Sequence, residues 1–461
     1  MKSGILLSML CCLFGLSLCA GDALAAPNVK ISDRKDNVII QEAVTDEILA
    51  EIKKGVGDKK DLSFSLQKAG SIEDITKLCE AFPGMVKLSI DGPKDLTSIA
   101  PVAKLKGLKF FWLKGATVAD FSPLSDLTGL DNLQIVGNNL KNGMMAPDLK
   151  WMSKLTNLTR LDIGAPSDLR TLVSFEGIPA AAKLTSAKFS GGAPADLKPL
   201  QALSSLKKLD LVGSKIADLT PLAGLPNLED LNLYGAEVKD FSPLAGCPNL
   251  KTLNYYSTVG SDYSTLGKLT QVQELKGGLT KLADISWVAA LPNLKKISVF
   301  AEYVTDYSPL AKSKVEEFQI WNMRAPADLK TLSGAVSLKK LTLWSCKGLS
   351  GFAGLGSLVN VEELTLQGMN AKDGTPVDMA FAKSLVNLKK LDINDSAISN
   401  FDAVAGCAKL ETVNISSKTA GITSLAALKK LPNLKTVSVG KGVFPDAELA
   451  GFDAKVKINQ R

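Results

Sequence analysis

Histidine is absent from all 461 residues. That removes the commonest general base, the commonest metal ligand and every Ser-His or Cys-His nucleophile pairing. No phosphate loop compensates, because the Gly277-Gly278 pair is not followed by Gly-Lys-Ser/Thr. Catalysis, bound metals and cofactors are therefore not expected. Aromatic residues are only 6% of the chain against 46% hydrophobic, so the core must be aliphatic. After the N-terminus no stretch reaches the ~20 uninterrupted apolar residues of a membrane helix; an integral membrane protein is not expected. Lys and Arg number 54 against 47 Asp and Glu, a balance of +7. The lysines are spread along the chain instead of clustered, which speaks against a nucleic-acid partner.

Residues 1–25 combine Lys2, an apolar run from Ile5 to Ala20 and Ala23-Leu24-Ala25. This is the pattern of a secretory signal peptide, with a mature chain starting at Ala26. Export to a periplasm, a cell surface or the extracellular medium is expected. Leu16-Ser17-Leu18-Cys19 also resembles a lipobox, with Leu18 where a small residue is wanted.

The chain repeats itself. Leu206 opens LKKLDLVGSKIADLTPLAGLPN and Leu228 opens LEDLNLYGAEVKDFSPLAGCPN; 228 minus 206 gives a period of 22. The frame starts at Leu62, Met85, Leu108, Leu130, Leu158, Leu184, Leu206, Leu228, Leu250, Val272, Leu294, Val315, Leu338, Val361, Leu388, Leu410 and Leu434, which we number coils 1 to 17. Apolar residues at positions 1, 4 and 6 point inward from a short strand, and those at 11, 17 and 20 close the far side. Such coils bury their apolar side only against one another. Seventeen of them at ~4.8 Å per strand make a rod on the order of 80 Å long.

The segments Asp120-Phe121-Ser122-Pro123-Leu124, Asp218-Leu219-Thr220-Pro221-Leu222, Asp240-Phe241-Ser242-Pro243-Leu244 and Asp306-Tyr307-Ser308-Pro309-Leu310 give the repeat a D-x-[ST]-P-L signature. From Leu62 to Gly440 the pattern resembles the leucine-rich repeats of bacterial internalin-like proteins. The resemblance implies an α/β solenoid: a right-handed leucine-rich-repeat horseshoe or curved rod with a parallel β-sheet on its concave face. Residues 26–61 are then an N-terminal cap, 62–440 the solenoid and 441–461 a C-terminal cap. The family's Asn at position 9 survives only as Asn138; Ala116, Ser214, Ala236, Thr258, Cys346 and Ser396 replace it, so a thin side-chain ladder is expected. In the longer coils, Pro-x-Asp-Leu segments such as 194–197 and 326–329 predict true helices on the convex side.

Positions 3, 5 and 7 alternate away from the core toward the concave face. Position 7 is Tyr234, Tyr256, Phe300, Trp321 and Trp344 in coils 8, 9, 11, 12 and 13. Coil 10 interrupts the row with Gly277-Gly278, which predicts a notch. Trp112, at position 5 of coil 3, offers a second contact point, whereas Trp287 is assigned to the core. Exposed aromatics in a row are the residue types of interface hot spots, and they also stack as a structural ladder. Beside them Lys295-Lys296, Glu316-Glu317, Lys339-Lys340, Glu362-Glu363 and Lys389-Lys390 alternate in sign and are expected to pair. The expected function is non-enzymatic binding of a protein, peptide or glycan on the aromatic face. A structural or self-assembling envelope solenoid is the other reading, with self-association its consequence.

Cysteine is scarce: after Cys11, Cys12 and Cys19 of the leader, Cys79, Cys247, Cys346 and Cys407 remain. They fall in coils 1, 8, 13 and 15, so the closest pair is about 10 Å apart at ~4.8 Å per coil, beyond the ~7 Å Cα reach of a disulfide. Mass analysis of the alkylated native protein is expected to find four unpaired thiols; two native disulfides would break the register.

Overall fold

The computed structural model describes residues 29–461 except 42, 68–72, 94, 138–147, 165–173, 192, 259–261, 279–282, 301, 326 and 370–373. The leader, its lipobox-like segment and Asn138 lie outside the described residues. Each of the seventeen coil starts leads into one strand of a 20-stranded sheet. The other three strands are Val29–Ile31 and Asn37–Ile40 at the N-terminus and Lys457–Gln460 at the C-terminus. Val29–Ile31 pairs antiparallel; the remaining pairings are parallel and in register. Leu231 lies opposite Leu253, Leu253 opposite Leu275 and Leu275 opposite Ile297, so position 4 stacks on position 4. Because strand side chains alternate with period two, this register sends positions 4 and 6 of coils 2 to 17 into one continuous core; in coil 1 Phe64 lies opposite Leu88 and Leu66 opposite Ile90, so the repeat there runs one residue ahead of the expected Leu62 start. The sheet stays open and does not close into a barrel.

The expectation of true helices on the far side is overturned. Lys198–Ala202, Leu329–Leu332 and Met379–Ser384 are 3-10 helices, as are Thr220–Leu222 and Ser242–Gly246. The apolar positions explain why: 14, 17 and 20 are three apart, and three residues per turn places all of them on one face. Leu219, Leu222 and Leu225 do this in coil 7, Phe241, Leu244 and Cys247 in coil 8, and all six are buried. The aspartate of the D-x-[ST]-P-L segment starts the turn. Asp218 and Asp240 Oδ1 accept the backbone N–H of Thr220 and Ser242 at 2.8 and 2.7 Å. Hydrogen bonds from those hydroxyls and amides hold both carboxyls below the usual carboxylate range.

Apart from position 9, a separate row of asparagines stands at the last position of the coil. Asn227, Asn249, Asn293, Asn360, Asn387 and Asn433 each donate Nδ2 to a carbonyl of the preceding coil at 2.7–2.9 Å. In coil 12 Ser337 stands at that position, reaching Ser313 O of the preceding coil at 3.4 Å and Val315 O of its own coil at 2.8 Å. At position 9, Ser214, Thr258 and Ser396 satisfy nearby carbonyls with their hydroxyls.

The ends are covered. Helix Asp46–Val56 buries Ile48, Leu49, Ile52 and Val56, and Thr45 caps it by accepting Ile48 N–H. Phe444 and Leu449 are buried at the other end, with Phe452, Val456 and Ile458 packed beside them. The four cysteines are free and buried. Burial pushes the Cys79 thiol up to about 12 and those of Cys346 and Cys407 to about 11, which leaves them unreactive at neutral pH.

Coil 10 shows how tightly neighbours depend on one another. Tyr255, at position 6 of coil 9, is fully buried and lies opposite Gly277. A Cβ on Gly277 would sit 2.2 Å from the Tyr255 ring, so the tyrosine occupies the space of the missing side chain. Gly277→Ala is expected to destabilise the protein by about 1–3 kcal/mol through overpacking. Adding Tyr255→Leu should recover part of that loss in chemical denaturation; strictly additive costs would refute the exchange.

Candidate ligand-binding face

In coils 2 to 6 and 9 to 14 position 7 ends the strand on the solvent face of the sheet, and the next residue turns the chain toward the far side. That turn needs a left-handed backbone: Gly92, Gly115, Gly213, Gly235 and Gly368 hold position 8 with φ between 63° and 84°, where glycine carries no Cβ penalty. Coils 9, 12 and 13 differ. Ser257, Asn322 and Ser345 adopt φ of 57°, 56° and 55°, and each directly follows an aromatic residue; Asp395 in coil 15 shares the conformation at 56° after Asn394. Alternation alone does not find the three beside the rings. The signal was there, as a polar residue breaking the position-8 glycine.

Tyr256, Phe300, Trp321 and Trp344 line one open depression of about 410 Å³, joined by Asn322 and Ser345. Phe300 pairs in register with Trp321 and Trp321 with Trp344. Tyr256 faces Gly278 across the strand pair, and three strand steps of ~4.8 Å separate coils 9 and 12. Even so, the Tyr256 and Trp321 rings approach to 6.2 Å between centroids at a 44° tilt. The expected notch is thus spanned: glycine 278 carries no side chain, and the two rings close over the gap. Burial pushes the Tyr256 phenol upward, so it stays protonated.

The other aromatic residues stand apart. Tyr234 is 47% exposed, does not line the depression and makes no ring contact among the described residues. Trp112 lies between Ser89 and Gln134, with the Lys114 ammonium 5.9 Å from its ring centroid. Six strand steps, on the order of 29 Å, separate it from Tyr256. Trp287 is buried and donates Nε1–H to Asp284 O, in keeping with a core assignment.

The charges beside the aromatic patch neutralise one another. Lys295 and Lys339 reach Glu316 at 2.8 and 2.7 Å, Lys296 lies between Glu274 and Glu317 at 3.3 and 3.5 Å, and Lys340 meets Glu363 at 3.1 Å. The two lysine hydrogen bonds hold the Glu316 carboxyl down at about 2. Exposed pairs of this kind contribute little stability each, but they match the lysines flanking the rings with glutamates.

A second, polar groove of about 460 Å³ runs over coils 5 to 10, from Arg160 to Lys276. Three of its carboxylates are tied to partners: Asp210 accepts from Asn232, Asp230 pairs with Lys208 and Glu274 with Lys276. In Asp162 one carboxylate oxygen is buried without a hydrogen bond, and burial raises its pKa against the pull of Lys188 and Arg160. Among the described residues, no group of three or more Cys, Asp or Glu could hold a metal ion. No helix there is long and apolar enough to cross a membrane.

Residues 204–246, which include coil 7 and most of coil 8, match the sequence family described as Leucine Rich repeats (2 copies). No protein of curated function matches the sequence. Among solved structures, an internalin from Listeria monocytogenes is 22% identical over 78% of this chain and 88% of its own, with a TM-score of 0.46. A Leptospira interrogans LRR protein is 18% identical over 90% and 92%, at 0.49. The TLR13–ssRNA13 complex is 16% identical over 86% and 56%, at 0.54. At these identities the likeness concerns the fold alone.

Trp321 and Trp344 should separate stacking from display. Trp344 is 48% exposed, so Trp344→Ala is expected to leave the Tm within about a degree. Trp321→Ala loses the contact with Tyr256, about 0.5–1.5 kcal/mol for an aromatic pair. Equal, large losses for both would identify the row as a structural ladder.

Proposed function

We propose, on the premise that this is a leucine-rich-repeat solenoid, that the chain is an exported, non-enzymatic binding protein whose concave aromatic face holds its ligand. Residues 1–25 serve as its signal peptide, and 26–61 and 441–461 cap the 62–440 solenoid. The observation that carries the reading is the convergence of Tyr256, Phe300, Trp321 and Trp344 on one depression, open to solvent and flanked by lysines and glutamates that pair with one another. Large aromatic side chains held on a rigid sheet bind with little ordering cost, because the backbone that presents them is already fixed. Tyr234, one coil before Tyr256, extends the face, and Trp112, on the order of 29 Å away, is a separate contact point. A nucleic acid is a poor fit, since lysines paired with glutamates offer no cationic track for a phosphate backbone. For catalysis the groove offers one unengaged carboxylate, Asp162, while Asp210, Asp230 and Glu274 are held by Asn232, Lys208 and Lys276.

A second reading, self-assembly, draws on Val336, Val359 and Val386. They occupy equivalent positions in coils 12, 13 and 14 and are 54%, 40% and 50% exposed, forming an apolar ridge along one edge. Size-exclusion at rising concentration separates the readings. A monomer throughout supports a foreign ligand, and association lost in Val359→Lys supports assembly. For the binding reading, printed arrays of peptides and glycans should retain the native protein, and Tyr256→Ala/Trp321→Ala/Trp344→Ala should lose that retention with Tm lowered by only a few degrees. Equal retention by both would refute it.

A further inference from the structure

We infer that the ligand of the aromatic face is an uncharged, extended polysaccharide, an inference that rests on the binding reading above and names its ligand class. Two independent features point to this chemistry. The first is the flat apolar floor: Tyr256, Phe300, Trp321 and Trp344 line a depression that is wide and shallow, with no deep pocket for a side chain. The C–H face of a pyranose lies against such a surface. The second is the set of neutral hydrogen-bonding groups at the edge of the rings. Ser257 and Ser345 keep a side chain where the backbone favours glycine, and their hydroxyls have no partner among the described residues. Polar groups held at a strained backbone beside a solvent-facing site are where function is expected to offset the strain.

The row continues in the same terms. Gln367 follows Trp344 in register, and Asn394 and Ser416 occupy position 7 of the next two coils. All three line a polar depression of about 300 Å³. From Tyr256 to Ser416 is seven strand steps, on the order of 34 Å, a track for several sugar units. Each unit of an extended chain advances by roughly one inter-strand step.

Charge weighs against the nearest alternatives. Lys296 and Lys340 beside the rings are matched by Glu274, Glu317 and Glu363 and are not free for a sulfated or uronic-acid polymer, and at the far end of the track Arg461 shares its depression with Asp395. A peptide added as a strand would need an unpaired sheet edge, and position 7 lies within the sheet, where the neighbouring strands already take the backbone groups.

The test is native affinity electrophoresis of the full chain in gels holding hydroxyethylcellulose, galactomannan, neutral arabinoxylan or dextran, with heparin as the charged comparison. At least one neutral polymer should retard the native protein, and Trp321→Ala/Trp344→Ala should run free. Ser257→Gly and Ser345→Gly relax the backbone and keep every ring. Each should leave the Tm unchanged or raised and weaken retardation about three- to tenfold, the worth of one neutral hydrogen bond. Retardation that survives both serine changes undiminished, or by heparin alone, overturns the inference. So does a lack of retardation in every neutral gel. If peptide arrays then still show aromatic-dependent retention, only the ligand class fails; if they show none, the binding reading fails with it.

Discussion

A coil of this protein has an apolar inner side and nothing of its own to cover it with, so the only available cover is the identical side of the next coil. Everything else in the structure follows from satisfying that demand seventeen times in register. Position 4 must meet position 4, which sets the parallel sheet. Because the sheet is in register, position 7 also meets position 7. Residues 22 apart in sequence therefore become lateral neighbours at about one strand spacing, and a functional surface arises by repeating one position along the chain.

The far side of the coil obeys the same demand with a different period. Three inward residues spaced by three call for a 3-10 turn, and the aspartate and last-position asparagine hydrogen bonds satisfy backbone groups that such short turns leave open. Each asparagine stitches its coil to the one before it. Apolar burial makes the stack favourable, and these directional bonds fix how the coils sit on each other.

Much of this was legible in the sequence, because period and alternation are properties of single positions. The coil starts, the inward residues, the alternating Lys and Glu pairs and the buried Trp287 all follow from register alone. What register misses is contact between unlike positions. Position 9 draws the eye to the turn, yet the row of asparagines that joins neighbouring coils stands at the last position of the coil. Helices were expected from Pro and Asp, although the spacing of 14, 17 and 20 already called for a tighter turn. Within the site, the row of position-7 aromatics could be read off directly. That Tyr256 and Trp321 meet across three strands could not, since it depends on the room that Gly278 leaves. Trp112 shares the face but not the location, because alternation says which way a side chain points and not which of them converge.

The exchange between Tyr255 and Gly277 sets a limit on how such a chain evolves. Solenoids grow by duplicating or losing whole coils, which works when any coil fits on any other. Coil 9 sends an oversized ring into its successor and coil 10 leaves a vacancy for it, so neither is interchangeable with the rest. Copying coil 9 alone would drive its ring into a filled core, and losing it alone would leave a void above coil 10. The packing therefore ties the two into a 44-residue unit that would have to be gained or lost together, and the aromatic face is built around that joint.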